Sequence, residues 1–388
     1  MSPSISLLGK PRPAFQVCGY TGLFLGFVQS AVLVSYLGLS QLTLFGITGV
    51  VILTFLGLTM ITKVIVGREL IIYYHHEIAV IVMVTVFLRL TGQPALPYLD
   101  VTILGVGLFL ALGRVGCLMA GCCYGRPWRW GVTYGHEHVA AGFAEHLAGV
   151  RLFPIQIIES GFALLIVVTG IGAILEGYPP GTAFTFYVFV YAAGRFCFEF
   201  FRGDSTRPYL WGFSEAQWIS LSIALADVWA EHAGLVPAYG WHAAVPLLMA
   251  TAMLAIGLKM HFERPSRFEL LHPRHIRELA EAVQFLKGTL DPLQFDVSLP
   301  PESASNVIYV ANTSLGCRIS TGEVTRGSHP IRHYSLSQDS APLSASSARL
   351  LAATIGRLHH PSCSFDLVAG EWGVFHVMFA SFPISSEQ

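Results

Sequence analysis

Apolar runs long enough to cross a hydrocarbon core of about 30 Å recur along the chain. They lie at about 18–39, 42–62, 76–91, 100–122, 154–175 and 182–201, with a seventh near 241–261. In lipid every backbone N–H and C=O must be satisfied within the spanning structure, so runs of this length predict helices. A further stretch, 213–231, is apolar but carries Glu215, Asp227 and Glu231, and it either spans or lies in the interface. Charged residues make up only 12% of the 388-residue chain, against roughly 25% in soluble domains. The expectation is an all-α polytopic membrane protein with seven or eight transmembrane helices. The first 15 residues are polar and contain Pro11 and Pro13, which reads as the lead into a retained span rather than a signal peptide.

A net charge of −1 offers no basic stripe for phosphate neutralisation, so nucleic acid is excluded as a partner. Seven cysteines, at 18, 117, 122, 123, 197, 317 and 363, form an odd set concentrated in apolar runs, unlike a secreted disulfide scaffold. Past Phe262 the composition turns polar. A helix is expected over Pro273–Lys287, with Gly288 after it, and a second over Ser344–Leu358. Strands are expected at 306–311, 364–369 and 373–379. The chain therefore divides into a transmembrane domain, 1–262, and a small soluble α+β domain, 263–388. His359, His360 and Cys363 have metal-ligand residue types but read as a solvated loop, and no metal or cofactor is expected.

Four polar sets interrupt the apolar runs. The first is Tyr73-Tyr74-His75-His76-Glu77, heading the third run. The second closes the fourth run as Gly113-Arg114-Val115-Gly116-Cys117-Leu118-Met119-Ala120-Gly121-Cys122-Cys123-Tyr124-Gly125-Arg126. Gln156 and Glu159 open the fifth run, and Tyr191, Arg195, Glu199 and Arg202 close the sixth. Spacings of four, four and three place that last set on one helix face and pair Arg195 with Glu199. If successive spans alternate in direction, all four sets reach the same membrane surface. A guanidinium cannot shed its charge, so arginines at head-group depth suit a lipid phosphate.

With those residues assembled, the first 260 or so positions resemble the prolipoprotein diacylglyceryl transferase family. Gly113, Arg114, Gly116, Gly125 and Arg126 fit its Gly-Arg-x-Gly-Asn-Phe-x-Asn-x-Glu-x-x-Gly-Arg signature. Pro154, Gln156 and Glu159 fit its His-Pro-x-Gln-x-x-Glu, and Tyr191, Arg195, Glu199 and Arg202 fit its Tyr-x-x-x-Arg-x-x-x-Glu-x-x-Arg in full. The resemblance implies a bacterial inner-membrane enzyme that moves a diacylglyceryl group from phosphatidylglycerol, or another anionic phospholipid, to a cysteine of a lipoprotein precursor peptide. In that reading Arg114 and Arg195 hold the phosphate, Glu199 orients Arg195 and Tyr191 donates a hydrogen bond. His76, or its neighbour His75, takes the thiol proton. Gly113, Gly116, Arg126, Gln156, Glu159 and Arg202 line the substrate.

Departures from the pattern carry the alternatives. Cys117 and Ala120 stand at asparagine positions, Cys122 at a glutamate position and Phe153 at a histidine position. One alternative is altered chemistry, with Cys117, Cys122 or Cys123 as a nucleophilic thiol beside cations. The other is a non-catalytic lipid-binding protein of the same fold. Orientation is a separate matter: the resemblance implies a site facing outward. Lys10, Arg12, Lys63, Arg68, Arg126, Arg129, Arg151, Arg202 and Arg207 instead load the site's side, against essentially Arg89 alone in the opposite short loops, and the rule of basic cytoplasmic loops would place that side inside.

Overall fold

A computed structural model describes residues 2–7, 9–67, 73–205, 207–263, 265–290, 309–326, 329–339, 342–360 and 363–380. A short hairpin, β1 (Ser4–Leu7) and β2 (Lys10–Pro13), leads into α1 (Ala14–Tyr36). There follow α2 (Gln41–Val66), α3 (Tyr73–Leu90) and α4 (Ala95–Ala120), then β3 (Pro127–Val132) and the single turn α5 (His136–Ala140). The next elements are α6 (Ile155–Leu175), α7 (Thr182–Phe198), the two-residue strands β4 (Tyr209–Leu210) and β5 (Phe213–Ser214), α8 (Glu215–His232) and α9 (Ala244–Phe262).

Among the described residues six helices are long and apolar enough to cross a membrane: α1, α2, α4, α6, α7 with the turn after it, and α9. The protein is an integral multi-pass membrane protein. The third expected span and the ambiguous 213–231 stretch also fold as helices, α3 and α8, each of 18 residues. The first opens on two histidines and a glutamate, and the second carries three carboxylates.

The chain separates into two compact units, the first comprising 1–123, 154–201 and 207–255. Within it α4 packs against α1, α3, α6 and α7. Contact with α1 is close because glycines face each other. A Cβ on Gly26 would lie 2.8 Å from the Gly105 carbonyl oxygen, and one on Gly105 would lie 2.8 Å from Ser30 Oγ. Small residues of this kind let helix backbones approach where lipid supplies no hydrophobic drive. Tyr98, Val101, Leu104, Ala163, Ile166 and Tyr187 are buried in the resulting core. Asp100, inside α4, accepts from the backbone N–H of Gly181 (2.6 Å) and of Phe184 (2.7 Å). It thereby satisfies donors that the first turn of α7 leaves without intrahelical partners.

The second unit takes in 124–153, 202–206 and 256–388, so it draws on three stretches of chain rather than on the tail alone. Its later elements are α10 (Arg267–Leu270), α11 (Pro273–Leu290), β6 (Val310–Asn312), β7 (Cys317–Arg326), β8 (His329–Gln338), α12 (Ala345–His359), β9 (Ser364–Ala369) and β10 (Phe375–Ala380). The strands form one antiparallel sheet in the order β6-β7-β8-β10-β9. Leu279, Val283 and Leu286 of α11 and Leu351 and Ile355 of α12 share a core with Ile319, Leu336 and Val377 of the sheet. The tail is thus a small α+β fold, as expected.

Details differ from the sequence reading. Of the strand expected at 306–311, residues 306–308 lie outside the described set. The paired ten-residue strands β7 and β8 are additional to the strands expected from the sequence. His360 is not loose in solvent: it stacks on Phe379, with ring centroids 4.6 Å apart, and its Nε2 meets the Tyr334 hydroxyl at 3.0 Å.

Candidate functional site

Three helices of the first unit bring their charged side chains to one place. Arg114 comes from the last two turns of α4, Glu159 from the first turns of α6, and Tyr191 and Arg195 from α7. Arg114 Nη2 lies 2.9 Å from Glu159 Oε1, the Tyr191 hydroxyl donates to the same oxygen at 3.0 Å, and Arg195 Nε stands 3.9 Å from it. One carboxylate oxygen is therefore shared by two guanidiniums and a phenol. α7 then tightens into a single 3-10 turn over Glu199–Phe201. Glu199 Oε1 pairs with Arg195 Nη1 and accepts from Arg207 Nη1 at 2.6 Å.

The result is a chain of alternating charge, Arg114, Glu159, Arg195, Glu199, Arg207, that begins and ends on a cation. All but Arg207 are no more than 6% exposed at the side chain. Taking such charges out of water rarely stabilises a fold, because desolvation offsets most of the Coulomb gain. An arginine at a helix centre in lipid costs about 3 kcal/mol on insertion scales. Such a cluster is better explained by what it binds. The buried Arg114 Nε–H has no hydrogen-bond partner among the described residues. Arginine's planar fork matches the oxygens of a phosphate.

Aromatic rings wall this cluster. Tyr187 stacks on Tyr191 with centroids 5.5 Å apart, and Tyr74 meets Tyr191 edge to face at 6.0 Å. The Tyr74 hydroxyl is 2.7 Å from Ser220 Oγ of α8. Gln156 Nε2 donates to the Cys122 carbonyl at 3.0 Å and fastens the turn after α4 to the start of α6.

Other residues singled out in the sequence have the following surroundings. His76 is buried against α2, its Nε2 3.2 Å from Thr59 Oγ1 and its ring 4.6 Å from that of Phe55. His75 is 2.7 Å from Glu215. Gly116 serves helix contact, since a Cβ there would lie 2.9 Å from Cys18 Cβ and 3.0 Å from Phe15 Cα, whereas a Cβ on Gly113 would meet nothing within 4 Å. Arg202 does not extend the α7 face, because the helix has already ended at Phe198. Arg202 belongs to the second unit, where its Nε donates to Asp204 Oδ1 at 2.9 Å and its carbonyl accepts from Arg126 Nε at 3.3 Å. Sequence reasoning missed Arg207, whose loop position gave no periodic signal. It also treated Glu159 as a lining residue rather than as the hub. A carboxylate two turns into an apolar run with no cation at helical spacing was the signal available, since such a group needs a partner from another helix.

A model of the family described as prolipoprotein diacylglyceryl transferase matches residues 72–231. The chain is 32% identical over 140 residues to the phosphatidylglycerol–prolipoprotein diacylglyceryl transferase of Clostridium tetani, covering 36% of this chain and 54% of that protein. It is 33% identical over 133 residues to the second such transferase of Clostridium perfringens, covering 33% and 48%. It is 34% identical over 132 residues to the one from Dehalococcoides mccartyi strain CBDB1, covering 34% and 48%. The chain spans about half the length of these relatives. The matched residues, 72–231, take in α3 through nearly all of α8 and every member of the charged cluster.

Proposed function

We propose that this protein transfers a diacylglyceryl group from phosphatidylglycerol to the cysteine thiol of a lipoprotein precursor, at the inner (cytoplasmic) membrane of a bacterium. The observation that carries the reading is the pairing of Arg114 and Arg195 through Glu159, two cations from separate helices converging on one carboxylate. The phosphate of the donor lipid sits against these guanidiniums, and the acyl chains extend into the surrounding lipid. A precursor thiolate attacks the glyceryl carbon next to the phosphate. The new C–S bond forms as the C–O bond to phosphate breaks, and glycerol phosphate departs with the electron pair.

Charge grows on the phosphate oxygens as that bond breaks, and preorganised donors aimed at developing charge typically contribute several kcal/mol to lowering a barrier. Glu159 and Glu199 hold Arg195 from two sides, and Tyr191 holds Glu159, so the donors are fixed before the lipid arrives. The thiol proton passes to a base at the same surface. His75 and His76 at the head of α3 are the imidazoles assigned to that step. The test is radiolabelled phosphatidylglycerol with a lipobox peptide, comparing wild-type membranes with Arg114→Ala at equal protein level. Loss of labelled peptide is expected. Labelling at the wild-type rate would remove the phosphate role.

A further inference from the structure

The end of α4 carries a second arrangement that the transferase reading does not use. Cys117 is buried in the last turn of the helix. The helix stops at Gly121, whose φ is 75°, and the N–H groups of Gly121 and Cys122 both return to the Cys117 carbonyl, at 3.0 and 3.2 Å. Cys123 then takes a φ of 55°, a left-handed conformation that Trp211 and Trp372 alone share among the described non-glycine residues. A side chain held there stores about 1 kcal/mol or more of strain. Two left-handed residues on either side of Cys122 fold the chain back over the helix end. The Sγ atoms of Cys117, Cys122 and Cys123 consequently lie within 4.8 Å of one another.

We propose that these three thiols form a binding site for a soft, closed-shell metal ion, Zn2+ or Cu+, bound as a tris-thiolate. Three sulfurs about 2.3 Å from one ion stand about 4 Å apart, so the observed spacing needs contraction of less than about 1 Å. An all-sulfur donor set selects soft ions over Mg2+ or Ca2+. Cys122 is exposed and Cys123 half-buried, which leaves a way in for the ion. Gln156, by holding the Cys122 carbonyl, fixes the turn from outside the donor set. On binding, each Sγ–H gives its proton to water as its Sγ–metal bond forms. The ion keeps its oxidation state and no electrons are exchanged. Cysteines that merely fill a void would require neither the exposure of Cys122 nor the strained backbone of Cys123.

The experiment uses the full-length protein in detergent, reduced and freed of metal, titrated with Zn2+ and separately with Cu+ against a competing chelator. Alkylation of the same samples is mapped by mass spectrometry. One ion per chain is expected from at least one of the two, with alkylation of Cys122 and Cys123 slowed at least about tenfold and Cys363 unaffected. Cys122→Ser and Cys123→Ser should each weaken binding by more than about tenfold, beyond the lower end of what losing an outer-shell partner does. Cys363→Ser should not. The proposal is overturned by the absence of stoichiometric binding with both ions, by unchanged affinity in Cys122→Ser and Cys123→Ser, or by a disulfide among the three in freshly isolated protein. The protection measurement needs no variant, so a substitution that fails to fold leaves the test intact. None of these readouts depends on diacylglyceryl transfer.

Discussion

Arg114 meets Glu159 at 2.9 Å with the two side chains 6% and 0% exposed, and the same carboxylate oxygen accepts from Tyr191. Removing the carboxylate strands two guanidiniums, whereas removing one guanidinium still leaves the other. Breaking a buried pair from one side destabilises by about 3–5 kcal/mol. Glu159→Gln should therefore lower the melting temperature in detergent more than Arg114→Gln does. The double variant should melt above Glu159→Gln, because the two positions are coupled. Additive shifts would mean that the pair does not interact energetically.

Arg195 is held differently, between Glu159 on one side and Glu199 on the other. Lysine offers one compact ammonium and cannot reach both carboxylates while also presenting a fork to a phosphate. Arg195→Lys should keep the protein folded and reduce transfer of labelled diacylglyceryl about 10²–10³-fold, the loss typical of one preorganised donor. A rate within about threefold of wild type, less than 1 kcal/mol of barrier, would show that charge alone suffices there.

Arg207 caps the outer end of the cluster, on a side chain 19% exposed. Glu199 keeps Arg195 when Arg207 is removed, so Arg207→Ala should reduce transfer by roughly tenfold, about 1.4 kcal/mol, and leave stability nearly unchanged. A loss as large as that of Arg195→Lys would move Arg207 from a positioning role to direct contact with substrate.

How much of this was legible in the chain depends on which residues carried a period. The spans were readable because an apolar run of some 20 residues has few alternatives to a helix. The pairing of Arg195 with Glu199 was readable because both lie on α7 and its continuation at a spacing of four. Glu159 as hub was not, since its partners come from α4 and α7, and side-chain convergence between helices leaves no trace in spacing. Arg202 was misplaced for a related reason: its spacing assumed a helix that the 3-10 turn at Glu199 brings to an end. In the tail, β7 and β8 escaped notice because few of their positions are apolar, and Cys317, Ile319, Tyr334 and Leu336 are the buried ones among their described side chains. With Ile319 opposite Leu336 and half-buried Thr321 opposite Tyr334, the inward face is too short for alternation to stand out.

Close approach of α1 and α4 yields a stability test free of charge effects. A Cβ on Gly26 would meet the Gly105 carbonyl oxygen at 2.8 Å, and backbone cannot step aside as a side chain can. Gly26→Val should separate the helices and cost about 1–3 kcal/mol, the usual range for overpacking. Gly57→Ala, where nothing lies within 4 Å, should be neutral or slightly stabilising. Equal melting temperatures for Gly26→Val and wild type would mean that the contact is not tight.

The α+β unit should be acid-sensitive, and the sign follows from two histidines. Burial, helped by Arg274 and Arg126, pushes His272 down to about 4. Burial also lowers His275, which lies between the Leu270 carbonyl at 2.9 Å and Thr313 Oγ1 at 3.1 Å. An unfolded histidine titrates near 6.5. Between about 6.5 and 4 the unfolded chain takes up a proton that the folded chain refuses, so stability is fully present above that window and falls as pH drops through it. Hydrogen exchange of the α11 backbone, corrected for intrinsic rates, should show opening that grows easier from pH 6.5 to pH 4.5. His272→Gln, which cannot charge, should flatten that dependence. A wild-type opening free energy constant across the window would mean that the buried imidazoles are protonated as readily in the fold as outside it.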